Sequence, residues 1–182
     1  VDWDGVRAHI ARVVASIAPH DSVERFEKLG VRVLQQAARF TGPREVTGAD
    51  GTRVQARRFV IATGSDPLLP PIPGLAETPY LTNQTIFGLD ALPEHLLVLG
   101  GGPVGVELAQ GFRRLGPQVS LIEQASILSR SDPELVAVLR QQLVDEGIDL
   151  RESTRVEQVS ASGGRIALAT LSAAGERREV TG

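Results

Sequence analysis

The stretch LLVLGGGPVGVELAQGF, residues 96–112, constrains the fold more than any other part of the chain. An apolar run stops at three consecutive glycines, and apolar residues then resume with a different period. Residues 95–100 have the length and composition of a buried strand. From Pro103 to Gly116 the spacing is helical, with Val104, Leu108, Phe112 and Leu115 expected on one stripe. Proline suits the first turn of that helix and Gly116 its C-terminal cap. A strand that turns into a helix within three residues needs backbone conformations that glycine adopts at little cost.

The alternation continues downstream. VSLIE (119–123) predicts a second strand. Ser131 or Asp132 caps a second helix, with Pro133 in its first turn and Gly147 at its end. Along it Leu135, Val138, Leu139 and Leu143 are expected to face one way. IDLRE (148–152) is a third strand. Strand–helix–strand–helix–strand implies a parallel sheet with right-handed crossovers. RVEQVSA, RIALATL and RREVTG, with Gly163-Gly164 at one turn, predict a closing β-meander.

The earlier part is less regular. Residues 3–17 form an amphipathic pattern with Val6, Ile10, Val13, Val14 and Ile17 on one face. His9 and His20 flank that face and are more often surface residues than ligands. Asp21 or Ser22 caps a short helix to Leu29, ended by Gly30. VRVLQQAARF (31–40) predicts a strand, and residues 44–64 a hairpin turning at Asp50-Gly51. Its second arm is expected to run into FVIA and then Thr63-Gly64. Residues 65–84 hold five prolines in twenty positions, which excludes a regular helix or central strand. This segment is a connector, expected to join two parts flexibly over 65–87. The expected division is 1–85 and 86–182.

The net charge of −3 offers no general attraction to nucleic acid or anionic lipid. No apolar run is long enough to span a bilayer and no signal peptide is visible, so the expected location is cytoplasmic. Cysteine is absent, which excludes disulfides, thiolate metal sites and thiol catalysis within these residues. No metal site is indicated. Methionine is absent too, even at position 1, so a processed chain or a piece of a longer one is expected.

Gly100, Gly101, Gly102, Pro103, Val104 and Gly105 fit G-x-G-x-x-G between a strand and a helix. The first glycine permits the turn, the second lets a pyrophosphate approach the backbone, and Gly105 lets the helix pack close to the sheet. The helix N-terminus supplies N–H groups and positive dipole for phosphates. The second strand ends in Glu123, 23 residues after Gly100 (123 − 100), near the spacing of a ribose-binding carboxylate. Neutral Gln124 follows it. The alternative is a glycine-rich turn in an unrelated α/β domain, with Glu123 merely solvated. Glu107, two residues past Gly105, has two readings. It is a favourable charge near a helix N-terminus, or an acid partly buried beside the site among Val106, Leu108 and Ala109.

FVIATGSDPLLPPIPGL, the connector and GGGPVGVELAQ, in that order and separation, resemble the FAD-dependent pyridine nucleotide-disulfide oxidoreductases. The likeness covers nearly the whole chain and is strongest to the mercuric reductase and dihydrolipoamide dehydrogenase branch. It implies part of a FAD-binding domain over 1–85 and a Rossmann-like NAD-binding domain from 86. In such enzymes an upstream segment carries the FAD phosphate loop and a C-x4-C redox disulfide. A C-terminal domain makes the homodimer. A chain lacking both is expected to be inactive alone, with no catalytic residue of its own.

The resemblance also implies roles. Thr63 and Gly64 resemble the segment that runs past the flavin, and Ala38 a strand residue at the FAD adenine. Gly100 to Gly105 resemble the NAD pyrophosphate loop, and Glu123 the adenosine-ribose ligand. Glu107 resembles the glutamate near the nicotinamide–flavin junction, and Val156 an adenine-side contact. NAD(H) is the expected cofactor, with NADP open because Arg130 lies seven residues past Glu123 (130 − 123). FAD belongs to the full-length parent. A parent of this kind takes hydride from NADH to FAD and on to a disulfide or metal acceptor. The alternative function is a non-catalytic nucleotide-binding or redox-sensing module of the same fold. Proline 117, just ahead of the second strand, departs from the usual pattern and gives reason to expect that strand shortened.

Overall fold

The computed structural model describes residues 1–182, which form two compact units. One comprises Asp4–Asp66, and the other Pro67–Gly182 together with Val1–Trp3. The proline-rich connector therefore travels with the later unit.

The smaller unit holds α1 (Trp3–Ile17, of which Trp3 belongs to the other unit), α2 (Val23–Lys28), and an antiparallel sheet of β1 (Ala38–Gly42), β2 (Glu45–Gly48) and β3 (Arg53–Gln55). Ser22 caps α2 by accepting from the Arg25 backbone N–H at 3.2 Å. The turn between β2 and β3 falls at Asp50-Gly51, as its sequence predicts. The Asp50 carboxylate accepts from the Thr52 N–H at 2.8 Å and its hydroxyl at 2.9 Å, and Gly51 takes φ +86°. Phe40 and Phe59 meet edge to face, with ring centroids 5.0 Å apart.

Two strand expectations fail here. Residues 31–37 are not strand: pairing begins only where β1 finds β2, at Ala38↔Gly48. The FVIA run is likewise not strand, and Val60 is 91% exposed. A strand needs a neighbour for its backbone groups; the β3 arm keeps one last bond, from Ala56 N–H to the Arg44 carbonyl at 3.1 Å, and no strand of the unit pairs with 57–66. The apolar face of α1 is also largely exposed at Val13, Val14 and Ile17.

The larger unit follows the predicted order. Strands β4 (His95–Leu99), β5 (Gln118–Ile122) and β6 (Asp149–Arg151) form a parallel sheet, with α3 (Pro103–Leu115) and α4 (Pro133–Asp145) as crossovers. An antiparallel meander of β7 (Thr154–Ser162), β8 (Arg165–Ser172) and β9 (Arg177–Thr181) closes it. Pro117 does not shorten β5, which pairs with β4 over five residues, His95↔Gln118 to Leu99↔Ile122. Proline sits just outside the ladder, and Gln118 N–H donates to the Glu94 carbonyl at 2.9 Å.

The register puts Leu97, Leu99 and Ile122 on one face of the sheet. They pack with Val159, Leu168 and Val180 of the meander. Ile72 and Leu75 of the connector join the same cluster, so residues 70–78 are not a free linker. The Val159 N–H donates to the Pro73 carbonyl at 2.8 Å. Gly74, at φ +82°, lies so close to the Val159 carbonyl that a Cβ there would overlap it. Buried leucine and backbone pairing outweigh the proline content, which sets only the local backbone shape.

The helix stripes shift from those expected. In α3 the buried residues are Val106, Ala109 and Phe112, while Val104 is 51% exposed. Ala109 is fully buried but carries too little apolar weight to mark the stripe. In α4, Val136 and Leu143 are buried and Leu139 and Arg140 half-buried, leaving Leu135 and Val138 each 71% exposed. An arginine occupies an inward position and masks the pattern. Trp3 packs on Phe112 at 6.0 Å between centroids and donates its indole N–H to the Leu89 carbonyl at 2.9 Å.

Two carboxylates are held well below their ordinary 4.5, each at about 2. Glu45 accepts hydrogen bonds from Arg53, then Gln55 and Thr41, and Glu146 from Arg114, then Gln142 and Gln110. A carboxyl depressed in the folded state stabilises fully above its unfolded value. That contribution is lost as pH falls from about 4.5 towards about 2. Thermal melts from pH 6 to pH 2 are expected to show an acid limb in that window, and Glu146→Ala is expected to flatten it. An unchanged limb in that variant would show that Glu146 is not a source of it.

Candidate functional site

Gly100 leaves β4 at φ +103°, a left-handed conformation that favours glycine, and its N–H donates to the Ile122 carbonyl at 2.9 Å. The chain thereby stays pinned to β5 one residue past the strand. Gly105 lies in the first turns of α3 against Gly100. A Cβ at Gly105 would overlap the Gly100 carbonyl oxygen, with Val98 Cγ1 3.6 Å away. The glycine is what brings the helix against the turn. At Gly101 a Cβ would lie 2.7 Å from Ile127 Cγ2 and 3.1 Å from Glu123 Cβ. At Gly102 it would meet nothing within 4 Å, so this glycine opens onto free space at the helix end.

Gly102 is the N-cap of α3 and no side chain caps it. The first-turn N–H groups of Val104 and Gly105 therefore have no intrahelical acceptor and no side-chain one. At α4, by contrast, the Asp132 carboxylate accepts from Glu134 N–H at 2.9 Å. Of the two crossover helices, the one that follows the glycine turn presents open donors together with its positive dipole end.

Glu123 stands at the end of β5, beside this turn. One carboxylate oxygen accepts from Gly101 N–H at 2.7 Å and the other from Ala125 N–H at 2.7 Å. Each oxygen keeps a further lone pair. The carboxylate is thus fixed in direction by two backbone donors while it can still accept from a ligand hydroxyl. Gln124 follows it, exposed.

The structure brings Gly100–Gly105, Glu123 and Gln124 together at the carboxyl ends of the parallel strands. Glu107 is exposed, so the reading that buries it beside the site is not what the fold does. Helical spacing turns Val106 and Ala109 inward and Glu107 out. Val156 packs in the core cluster beside Ile122, and its side chain is half-buried there. Ala38, Thr63 and Gly64 lie in the other unit: Ala38 opens β1, and Thr63 and Gly64 are exposed coil, with Gly64 at φ +70°.

The sequence reading passes over two residues that contact this region. Glu152, just past β6, accepts from Ile127 N–H at 2.8 Å and from both Nε and Nη2 of Arg140, at 2.7 and 3.0 Å. The Arg140 guanidinium holds the Glu152 carboxyl below its ordinary range. The available signal is an acid ending the third strand together with an arginine on the inward stripe of the preceding helix.

A glycine turn from a parallel strand into an uncapped helix, with an acid ending the neighbouring strand, defines the dinucleotide-binding class of α/β domains. The family described as pyridine nucleotide-disulphide oxidoreductase matches residues 7–181. Mercuric reductase from Streptomyces lividans is 43% identical over 146 residues, covering 78% of this chain and 31% of that protein. Mercuric reductase from Lysinibacillus sphaericus is 31% identical over 153 residues, covering 84% of this chain and 28% of that protein. Among solved structures, the Cu(II) complex of the HOCl-induced flavoprotein disulfide reductase RclA from Escherichia coli superposes with a TM-score of 0.80. It is 26% identical and covers 100% of this chain and 41% of that one. LpdA from Mycobacterium tuberculosis, at 23% identity, shares the fold with a TM-score of 0.75, over 98% of this chain and 41% of that one. The chain belongs to the pyridine nucleotide-disulphide oxidoreductase family. It spans about a third or less of the length of the curated relatives it matches. No helix is long and apolar enough to cross a membrane.

Proposed function

We propose that the larger unit binds NAD(H) and serves a flavoprotein oxidoreductase that passes hydride from NADH to FAD and on to a disulfide or metal acceptor. The observation that carries this reading is the Gly100–Gly105 turn clasped to Glu123, with the N-terminus of α3 left uncapped. Backbone N–H groups of Val104 and Gly105 would hold the pyrophosphate. Gly102 lets it approach because no side chain stands there. Glu123 would accept from the ribose hydroxyls. Ala38, Thr63 and Gly64 would belong to the FAD side, Val156 and Gln124 to the adenine side. The bound nicotinamide supplies the hydride chemistry, and the residues of this chain supply binding and orientation. Glu107, exposed on α3, stands two residues past the last glycine and would face the nicotinamide end of the site. With no cysteine among its 182 residues, the chain alone holds no thiol to relay electrons and is expected to be inactive by itself. The metal-ion acceptor is supported by the mercuric reductase relatives.

The test is calorimetric titration of NADH into the protein that carries this chain, with steady-state NADH oxidation measured in parallel. Tight NADH binding with flavin-dependent turnover is expected. Binding without turnover would instead favour a nucleotide-sensing module, and no binding would overturn the reading.

A further inference from the structure

Both backbone groups of Gly101 are held by the segment that follows β5. Its N–H donates to Glu123 at 2.7 Å, and its carbonyl accepts from Leu128 N–H at 2.8 Å. The position of the glycine turn therefore depends on where residues 123–128 lie. That segment is held in turn by the β6–β7 connection. Thr154 N–H donates to the Glu123 carbonyl at 2.9 Å, and Ser153 N–H to the Ala125 carbonyl at 2.8 Å. Ile127, 1% exposed, packs under Gly101 and donates its N–H to the Glu152 carboxylate at 2.8 Å.

Two further features converge on the same place. Leu128 at φ 47° and Ser153 at φ 50° are the only non-glycine residues with positive φ, and one lies on each side of this clasp. Such conformations persist where the surroundings over-determine them. The Glu152 carboxylate is itself fixed by a two-point grip from Arg140 of α4, at 2.7 and 3.0 Å. A fork of this kind sets direction as well as charge.

We propose that Arg140 and Glu152 are positioning residues of the dinucleotide site: the α4 guanidinium locks the Glu152 carboxylate onto Ile127 N–H, and so sets the 123–128 segment that holds Gly101 and aims Glu123. The inference rests on the NAD(H) reading of the glycine turn. Neither residue touches the ligand. Arg140 holds the Glu152 carboxyl below its ordinary range, which extends the charged state of the lock further into acid.

The chain contains its own control. Glu146 accepts from Arg114 Nε and Nη2 at 2.9 and 2.7 Å, a grip of the same geometry. It joins the C-terminal ends of α3 and α4 and makes no bond to residues 100–128 other than those from the α3 side chains Gln110, Arg113 and Arg114.

The experiment compares Glu152→Ala, Glu152→Gln and Glu146→Ala in the protein that carries this chain, by NADH titration, steady-state kinetics, melting and amide hydrogen exchange. Glu152→Ala is expected to raise the NADH Kd and KM about tenfold with kcat little changed, the loss of one charge-assisted hydrogen bond. Exchange at Gly101, Ile127 and Leu128 is expected to accelerate. Glu152→Gln keeps an acceptor for Ile127 N–H and is expected to restore part of the affinity. Glu146→Ala is expected to lower Tm while leaving the NADH Kd and the exchange of those three amides unchanged. Native-like NADH binding by Glu152→Ala would overturn the proposal, as would an equal loss of affinity in Glu146→Ala. Failure of the native protein to bind NADH would overturn the dinucleotide reading and this inference with it.

Discussion

Gly105→Ala is expected to weaken dinucleotide binding by about tenfold or more and to destabilise the larger unit by roughly 1–3 kcal/mol. The added Cβ would overlap the Gly100 carbonyl oxygen. That oxygen cannot swing aside, because it shares a peptide plane with Gly101 N–H, which is bonded to the Glu123 carboxylate at 2.7 Å. The helix must instead lift away from the turn, taking the open N–H groups of its first turn with it. Gly111 in the same helix gives the contrast, for a Cβ there meets nothing within 4 Å. Gly111→Ala removes only the entropic cost of a mid-helix glycine and is expected to stabilise by about 0.5–1 kcal/mol. Melting and NADH titration of the two variants check this. If both alanines shift Tm in the same direction, close packing at Gly105 is not what the fold depends on.

That contrast shows what the sequence makes legible. The order of strands and helices from His95 onward follows from periodicity and caps because each element there finds its partner within the unit. Gly116 ends α3 at φ +122° and Gly147 follows α4 at φ +81°, as C-terminal glycines should. The structural roles of Gly100 and Gly105 are also legible, since spacing alone separates the one that bends the chain from the one that admits the helix. The smaller unit is less legible. FVIA has every local mark of a strand, yet strand formation is a property of a pair, and no segment pairs with it. The connector errs in the opposite direction: its prolines suggest freedom, while Ile72 and Leu75 bind it to the meander core.

The supporting residues are hidden for a physical reason. Arg140 and Glu152 are twelve positions apart (152 − 140), on a helix and after a strand, and their meeting depends on how α4 lies against β6. A charged residue on an inward stripe lowers the apparent amphipathicity of its helix and moves the expected face onto Leu135 and Val138. The displaced stripe was itself the trace of the ion pair. Glu107 illustrates the converse. Apolar neighbours in sequence do not bury a helical residue, because residues one apart point about 100° away from each other.

Glu123→Ala is expected to lower kcat/KM for NADH by roughly 10- to 100-fold, and to lower that for NADPH much less. The adenosine ribose of NADP carries a 2′-phosphate where NAD has a hydroxyl. A carboxylate accepts from both ribose hydroxyls of NAD and repels that phosphate. Here the carboxylate cannot turn away from such a phosphate, because Gly101 and Ala125 each donate to it at 2.7 Å. Gln124, Ala125 and Ser126 after it are uncharged, so the nearest compensating cation downstream is Arg130. A native preference for NADH is therefore expected. The usual conservative test is not conservative at this position. In Glu123→Gln the amide nitrogen would face one of the two backbone donors, so the variant loses a bond of the clasp as well as the charge. It is expected to fall close to Glu123→Ala in NADH affinity instead of between it and the native protein. Steady-state kinetics with both cofactors on the full-length enzyme decides the matter. A native preference for NADPH, or a NADH/NADPH ratio that does not move in Glu123→Ala, would remove Glu123 from the ribose site.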